Sequence, residues 1–142
     1  MASHQDQESP LEWALAQVGD RWSLLVVHGL LDGAKRFGEL SEAVPGIAPN
    51  ILSRRLKSLE QSGIVVAEPY SSRPPRFVYD LTAAGRELAG ALRLLAQWGA
   101  TRSGDGDGVH HEACGSAMEA RWWCPTCERT VDEADGEDLR FV

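Results

Sequence analysis

The chain has 142 residues, 43% of them hydrophobic and 25% charged, with a formal net charge of −7 and three cysteines. That is enough for one ordinary domain with a small appendage, and no apolar run approaches the ~20 residues that span a bilayer. The opening residues, MASHQDQESP, lack the basic start and apolar centre of a secretory signal, so a cytoplasmic protein is expected.

The acidity is unevenly spread. Residues 1–20 carry −4, residues 21–102 carry +4 from 11 Lys and Arg against 7 Asp and Glu, and residues 103–142 carry −7. Affinity for phosphates depends on the local footprint rather than the total, so only the middle segment suits a nucleic acid. All three cysteines, Cys114, Cys124 and Cys127, fall in the last 29 residues. An odd count in a chain without a secretory signal argues against a disulfide framework and for metal ligation or redox chemistry.

Residues 1–8 read as a flexible arm. Ser9-Pro10-Leu11-Glu12 is a helix start, a capping box with Pro at the first helical position, and the helix runs to about Val18 before Gly19-Asp20 stop it. A more apolar helix carrying Trp22, Leu24, Leu25, Val26, Val27, Leu30 and Leu31 ends at Asp32-Gly33. Lys35-Arg36-Phe37 is long enough only for a bridging strand, and Glu39 to Val44 makes a short helix closed by Pro45-Gly46. The next helix begins near Pro49 and ends before Gly63. At ~100° per residue its Leu52, Leu56 and Leu59 share a core face. Asn50, Ser53, Arg54 and Lys57 share the opposite face, with Arg55 on a flank in reach of a phosphate. Such side chains read base edges and grip phosphates, although the same polarity fits an ordinary solvated helix surface.

Ile64 to Glu68 and Arg76 to Leu81 are strand-like runs around the tip Pro69-Tyr70-Ser71-Ser72-Arg73-Pro74-Pro75, where Arg73 and Arg76 place charge. Thr82 then caps a long helix to about Thr101, whose Leu88, Leu92, Leu95 and Trp98 stripe is either core or a face for a second copy. A turn, a helix with a polar stripe and a hairpin, in that order, predict a winged helix-turn-helix domain over residues 9–102. The fold class expected is mainly α with a small β-wing.

Residues 103–108 read as a Gly/Asp linker, 109–131 as a small module and 132–142 as an acidic tail. Within the module, His111-x2-Cys114 and Cys124-x2-Cys127 are separated by nine residues, the pattern of a Cys3His zinc ribbon with a structural metal. His110 is an alternative fourth ligand, and a hairpin through Met118 to Trp123 is expected to join the two pairs. A redox Cys-x-x-Cys is the rival reading, but the strand and helix of a thioredoxin-like unit are missing around it. A segment of ~25 residues cannot build a core alone, so it would need the metal to fold.

By this point the chain resembles the HxlR-type winged helix-turn-helix regulators. The likeness is carried by Leu11-Glu12, Gly19-Asp20-Arg21-Trp22, Arg36-Phe37-Gly38-Glu39-Leu40, Pro45-Gly46-Ile47, Leu52, Arg55, Leu56, Leu59 and Gly63. It continues through Pro74-Pro75-Arg76, Tyr79, Leu81-Thr82 and Gly85-Arg86. The resemblance implies a homodimer on double-stranded DNA, mainly a repressor, with two recognition helices in successive major grooves of a pseudo-palindromic operator. Two residues depart from it. Ser9 stands where many relatives carry an oxidant-sensing cysteine, and Ala48 stands where relatives often have a capping Ser.

The leading expectation is therefore a sequence-specific DNA-binding transcriptional regulator. Asn50, Ser53, Arg54 and Lys57 would face the groove, Arg36 and Arg55 the phosphates, and Arg73 and Arg76 the wing contact. The alternatives are a metal- or redox-responsive switch using the Cys/His cluster, and a protein-interaction module with little DNA binding. Apolar residues between the first helices and the long helix could line a pocket for a small-molecule effector. An enzyme is the weakest reading, since no Ser-His-acid or paired-carboxylate arrangement stands in a supporting context.

Overall fold

A computed structural model of the protein describes residues 8–104, 106 and 108–132. The expected N-terminal arm and acidic tail lie almost wholly outside the described residues. The chain divides into two compact units, Met1–Leu92 and Arg93–Val142.

Among the described residues the first unit holds four helices, the first half of a fifth and a three-stranded sheet. Helix α1 (Pro10–Val18) is opened by the capping box: Glu12 N–H donates to Ser9 Oγ at 3.2 Å and Ser9 N–H to Glu12 Oε2 at 2.7 Å. It ends at Gly19, where a Cβ would sit 2.3 Å from the carbonyl oxygen of Leu15. Helix α2 (Ser23–Gly29) is shorter than the apolar run suggested. Strand β1 (Lys35–Arg36) leads directly into α3 (Phe37–Ala43), which starts two residues before Glu39 because the Glu39 carboxylate accepts from the Arg36 N–H at 2.7 Å. Helix α4 (Pro49–Gln61) closes on Gly63 at φ 69°, with Ile64 N–H reaching back to the Leu59 carbonyl at 2.9 Å, a Schellman-type stop.

Strands β2 (Val65–Ser72) and β3 (Pro75–Leu81) form the wing, and β1 adds to it in the antiparallel order β1-β3-β2. The strands are longer than the sequence reading allowed, so the tip is only Arg73-Pro74, joined by a cis peptide. The prolines misled because their positions tolerate them: Pro69 lies on an edge strand and Pro75 is the first residue of its strand. Helix α5 (Ala83–Ser103) follows, with Thr82 Oγ1 accepting from Gly85 N–H at 3.1 Å as its cap. A Cβ on Gly85 would meet the Ile64 carbonyl oxygen at 2.3 Å, so the absent side chain lets α5 lie against the start of the wing.

The core is one cluster. Val26, Val27 and Leu30 from α2 and its end, Leu40 and Val44 around α3, and Leu52, Leu56 and Leu59 of α4 are all essentially inaccessible. Each buried Leu contributes about 1.5–3 kcal/mol relative to exposure. The spacing of the three leucines in α4 is what turns Asn50, Ser53, Arg54 and Lys57 outward. On α5 the apolar stripe splits: Leu92 is buried and Leu88 packs on the core, while Leu95 and Trp98 are exposed.

In the second unit, β4 (Trp122–Cys124) pairs antiparallel with β5 (Arg129–Val131), and an isolated bridge joins His110 to Ala117. The hairpin expected through Met118 to Trp123 is corrected. The strands instead flank Pro125–Glu128, so the second cysteine pair forms the turn rather than following it. Among the described residues no helix is long and apolar enough to cross a membrane.

Candidate nucleic-acid interface

The outward face of α4 presents Asn50, Ser53, Arg54 and Lys57, all exposed. None of the four side chains has an intramolecular hydrogen bond or ion pair among the described residues, so their donors and acceptors are available to a partner. Ala48 at the helix start makes no side-chain cap, and Pro49 fills the first turn, where a missing N–H costs nothing. The first-turn N–H groups of α4 are thereby left without a side-chain acceptor from their own cap.

Arg55 is placed differently. Its guanidinium is half-buried, and Nη1 lies 3.3 Å from Asp20 Oδ2. Asp20 also accepts from the N–H groups of Trp22 and Ser23 at 2.9 and 3.0 Å and from the Ser23 hydroxyl. Burial pushes the Asp20 carboxyl up, but the Ser23 hydroxyl, the two N–H groups and the Arg55 charge outweigh it and hold it below the usual range. Arg55 thus ties α4 to the turn before α2, a role that its flanking position on the helical wheel did not reveal.

The wing supplies the remaining basic groups. Arg73 and Arg76 are exposed at and beside the tip, without intramolecular partners among the described residues. Between Pro69 and Ser71 the register of β2 slips against β3, which leaves Tyr70 as a bulged residue. Its ring meets the Arg36 guanidinium at 4.5 Å from the centroid. Arg36, Phe37, Tyr70, Arg76, Phe77 and Tyr79 line a cleft of about 540 Å³ between the start of α3 and the wing. Tyr70 was missed by the sequence reading; a bulge leaves no local pattern, only the tyrosine in a polar run.

The Cys/His residues of the second unit form two turns. His111 Nδ1 lies 3.3 Å from Cys114 Sγ, and the N–H groups of Cys114 and Gly115 return to the His111 carbonyl at 3.3 and 2.7 Å. Cys124 Sγ accepts from the backbone N–H groups of Cys127 and Thr126 and interacts with the Cys127 side chain. Hydrogen bonds from Ser116 first, then the His111 ring, hold the Cys114 thiol below its usual range; the Cys127 N–H leads the same effect at Cys124. His110 Nδ1 instead lies 3.1 Å from the Gly108 carbonyl. Among the described residues no three His, Cys, Asp or Glu side chains are grouped so as to hold a metal ion.

An outward polar helix, a basic two-residue wing tip and an apolar core beneath them define a winged helix-turn-helix protein. Residues 17–105 match the HxlR-like helix-turn-helix family model, and the chain belongs to that family. It is 37% identical over 133 residues to the uncharacterized HTH-type transcriptional regulator Rv3095 of Mycobacterium tuberculosis, covering 91% of this chain and 84% of the relative. That match leaves only about 13 of the 142 residues outside it, so it runs through both cysteine turns, beyond the limit of the family model. The HTH-type transcriptional regulator YodB of Bacillus subtilis is 36% identical over 102 residues, covering 72% and 91% of the two chains. Among solved structures, the redox regulator HypR in its reduced form superposes with a TM-score of 0.62 at 35% identity, over 67% of this chain and 94% of HypR. The protein is accordingly a transcriptional regulator with a helix-turn-helix DNA-binding fold, and not an enzyme.

Proposed function

We propose that the protein is a homodimeric repressor that binds a pseudo-palindromic operator. The observation that carries this reading is the face of α4, where four polar side chains stand exposed without internal partners beside a basic wing. Asn50, Ser53, Arg54 and Lys57 read base edges, while Arg36, Arg73 and Arg76 hold phosphates and Arg55 acts through the pose of α4. Dimerisation uses the exposed apolar residues of the distal part of α5, Leu94, Leu95 and Trp98.

The test is a selection of operator sequences followed by titration of specific and nonspecific duplexes. Arg54→Ala should relax sequence preference, losing roughly 1–3 kcal/mol of discrimination at one base pair. Arg73→Ala should weaken both duplexes alike and flatten the salt dependence by about one phosphate contact. Unchanged affinity of both variants for both duplexes removes the assignment.

An apolar small molecule is the effector this reading favours. An apolar-lined cleft of about 330 Å³ lies beside Trp13, Ala14, Val18, Ile64, Ala84 and Leu88. A second reading, a redox switch, draws on HypR and on the quinone-bound form of YodB. Here Ser9 is occupied as the cap of α1, so a thiol-based switch would have to use Cys114, Cys124 or Cys127. Operator binding before and after a thiol oxidant, repeated with those cysteines replaced by serine, decides it.

A further inference from the structure

We propose that the cleft between the start of α3 and the wing binds a planar aromatic carboxylate, and that this ligand competes with DNA phosphates for Arg36 and Arg76. The competition rests on the DNA-binding reading above; the site itself does not.

The cleft lies wholly within the first unit, and its volume of about 540 Å³ falls in the ~300–1,000 Å³ range of small-molecule sites. Its floor is anchored and its rim is open. Phe37 and Tyr79 pack against the hydrophobic core, so their rings are held from behind. Phe77 lies two residues before Tyr79 on β3, on the same side of the strand, and is 39% exposed. Tyr70 enters from the bulge in β2 and is 43% exposed. Four aromatic rings thus line one cleft, and two of them carry surface that neither the core nor the outward face of α4 uses. A planar ring would cover that surface by offset stacking or edge-to-face contact.

The charge in the cleft decides the rest of the ligand. Arg36 and Arg76 both line it, and neither forms an ion pair among the described residues. The Arg36 guanidinium is stacked on Tyr70 at 4.5 Å from the ring centroid. Stacking occupies the face of the group and leaves its N–H edge for a carboxylate, which the planar fork matches in two parallel bonds. Glu39 is the one acid in the lining, and its Oε2 already accepts from the Arg36 N–H at 2.7 Å. Two guanidinium groups against one carboxylate leave a single positive charge, which a monoanion balances and a phosphate dianion exceeds. The apolar cleft beside Trp13 has Glu87 in its lining and no basic group, so it does not suit an acid.

Arg36 and Arg76 are also the groups assigned above to DNA phosphates. A carboxylate seated between them leaves them paired and unavailable to the duplex. The ligand would therefore release DNA by occupying its contacts, with no change of conformation required.

The probe is 2-naphthoate, titrated by ligand-observed NMR into the full-length chain without DNA, with 2-naphthamide as the neutral analogue. Expected is a dissociation constant of about 1 mM or below, the range open to a small ligand in an open cleft. The amide should bind about tenfold more weakly or worse, and Arg36→Gln and Arg76→Gln should each lose a similar factor for the acid. Tyr70→Leu should cost up to about fivefold, and Tyr70→Phe should bind as the wild type does. All of these positions are exposed, and an unchanged thermal melt of each variant shows that the fold is kept. Equal affinity for acid and amide overturns the proposal, because the ring is then held without the arginines. So does wild-type affinity in both Gln variants, or no binding up to about 10 mM.

The competition is read separately, on a nonspecific duplex at constant ionic strength. At about ten times its dissociation constant, 2-naphthoate should weaken duplex binding roughly tenfold, and the amide at the same concentration by no more than about twofold. Unchanged duplex affinity with the acid bound overturns the competition. A chain that binds the acid but no duplex retains the site and removes the DNA-binding reading instead.

Discussion

Arg55 Nη1 lies 3.3 Å from Asp20 Oδ2, so a basic residue of α4 is committed to the turn ahead of α2 rather than turned to solvent. The same carboxylate gathers two N–H groups and the Ser23 hydroxyl, and Ser23 is buried. The pose of α4, and with it the aim of Asn50, Ser53, Arg54 and Lys57, therefore rests partly on an acid thirty-five residues upstream of Arg55.

Asp20→Ala should destabilise the protein by about 1–2 kcal/mol, the usual worth of a lost cap, with Arg55 left without its partner. The carboxyl is held below its usual range, so its stabilisation is complete above the unfolded-state value of about 3.9 and is lost as pH falls through the folded value. Urea unfolding of the wild type and Asp20→Asn at neutral and acidic pH checks this. The gap between them should close on acidification, and a constant gap would contradict it.

Ala48 has the extended backbone of a helix cap, φ −71° and ψ 143°, but no side chain to perform the role. Ala48→Ser should raise stability by about 0.5–1 kcal/mol, read as a higher Tm. Sequence preference on DNA should be unchanged, because the residue precedes the proposed reading face. An unaltered Tm would mean that water already satisfies the first turn.

The Arg36–Tyr70 stack joins the start of α3 to the wing. Tyr70→Leu removes a contact of about 0.5–1 kcal/mol and should weaken specific and nonspecific duplexes alike, by up to about fivefold. Tyr70→Phe keeps the ring and should bind as the wild type does. A loss confined to the specific duplex would instead place Tyr70 against a base.

Trp98 is exposed near the end of α5, with the Arg102 guanidinium 6.0 Å from its ring centroid. Leu95→Asp combined with Trp98→Glu should convert the proposed dimer to monomer in sedimentation velocity. Affinity for a full operator should then collapse towards that for a half-site. A dimer that survives the double substitution would move the interface to another face.

How much of this was legible beforehand varies with the range of the interaction. Ser9, Glu12, Pro49, Gly63 and Thr82 declare helix ends because a cap acts within three or four residues, and the 3.6-residue period of Leu52, Leu56 and Leu59 declares which face of α4 is buried. The family resemblance and the winged fold followed from such local signals, and both hold. What failed was equally physical. Pro69 looks like a breaker until it is known that its strand is an edge, and that depends on β1 pairing with β3 across more than forty residues of chain.

By itself, then, the sequence determined the helices, their core faces, the wing and the candidate ligands, since caps, periodicity and spacing are short-range and each residue carries its own share. Tertiary structure alone decided that Arg55 serves Asp20, that a bulge turns Tyr70 onto Arg36, and that the α5 stripe is half core and half surface. Those outcomes depend on which distant segments meet, and contacts between distant segments leave no mark on neighbouring residues.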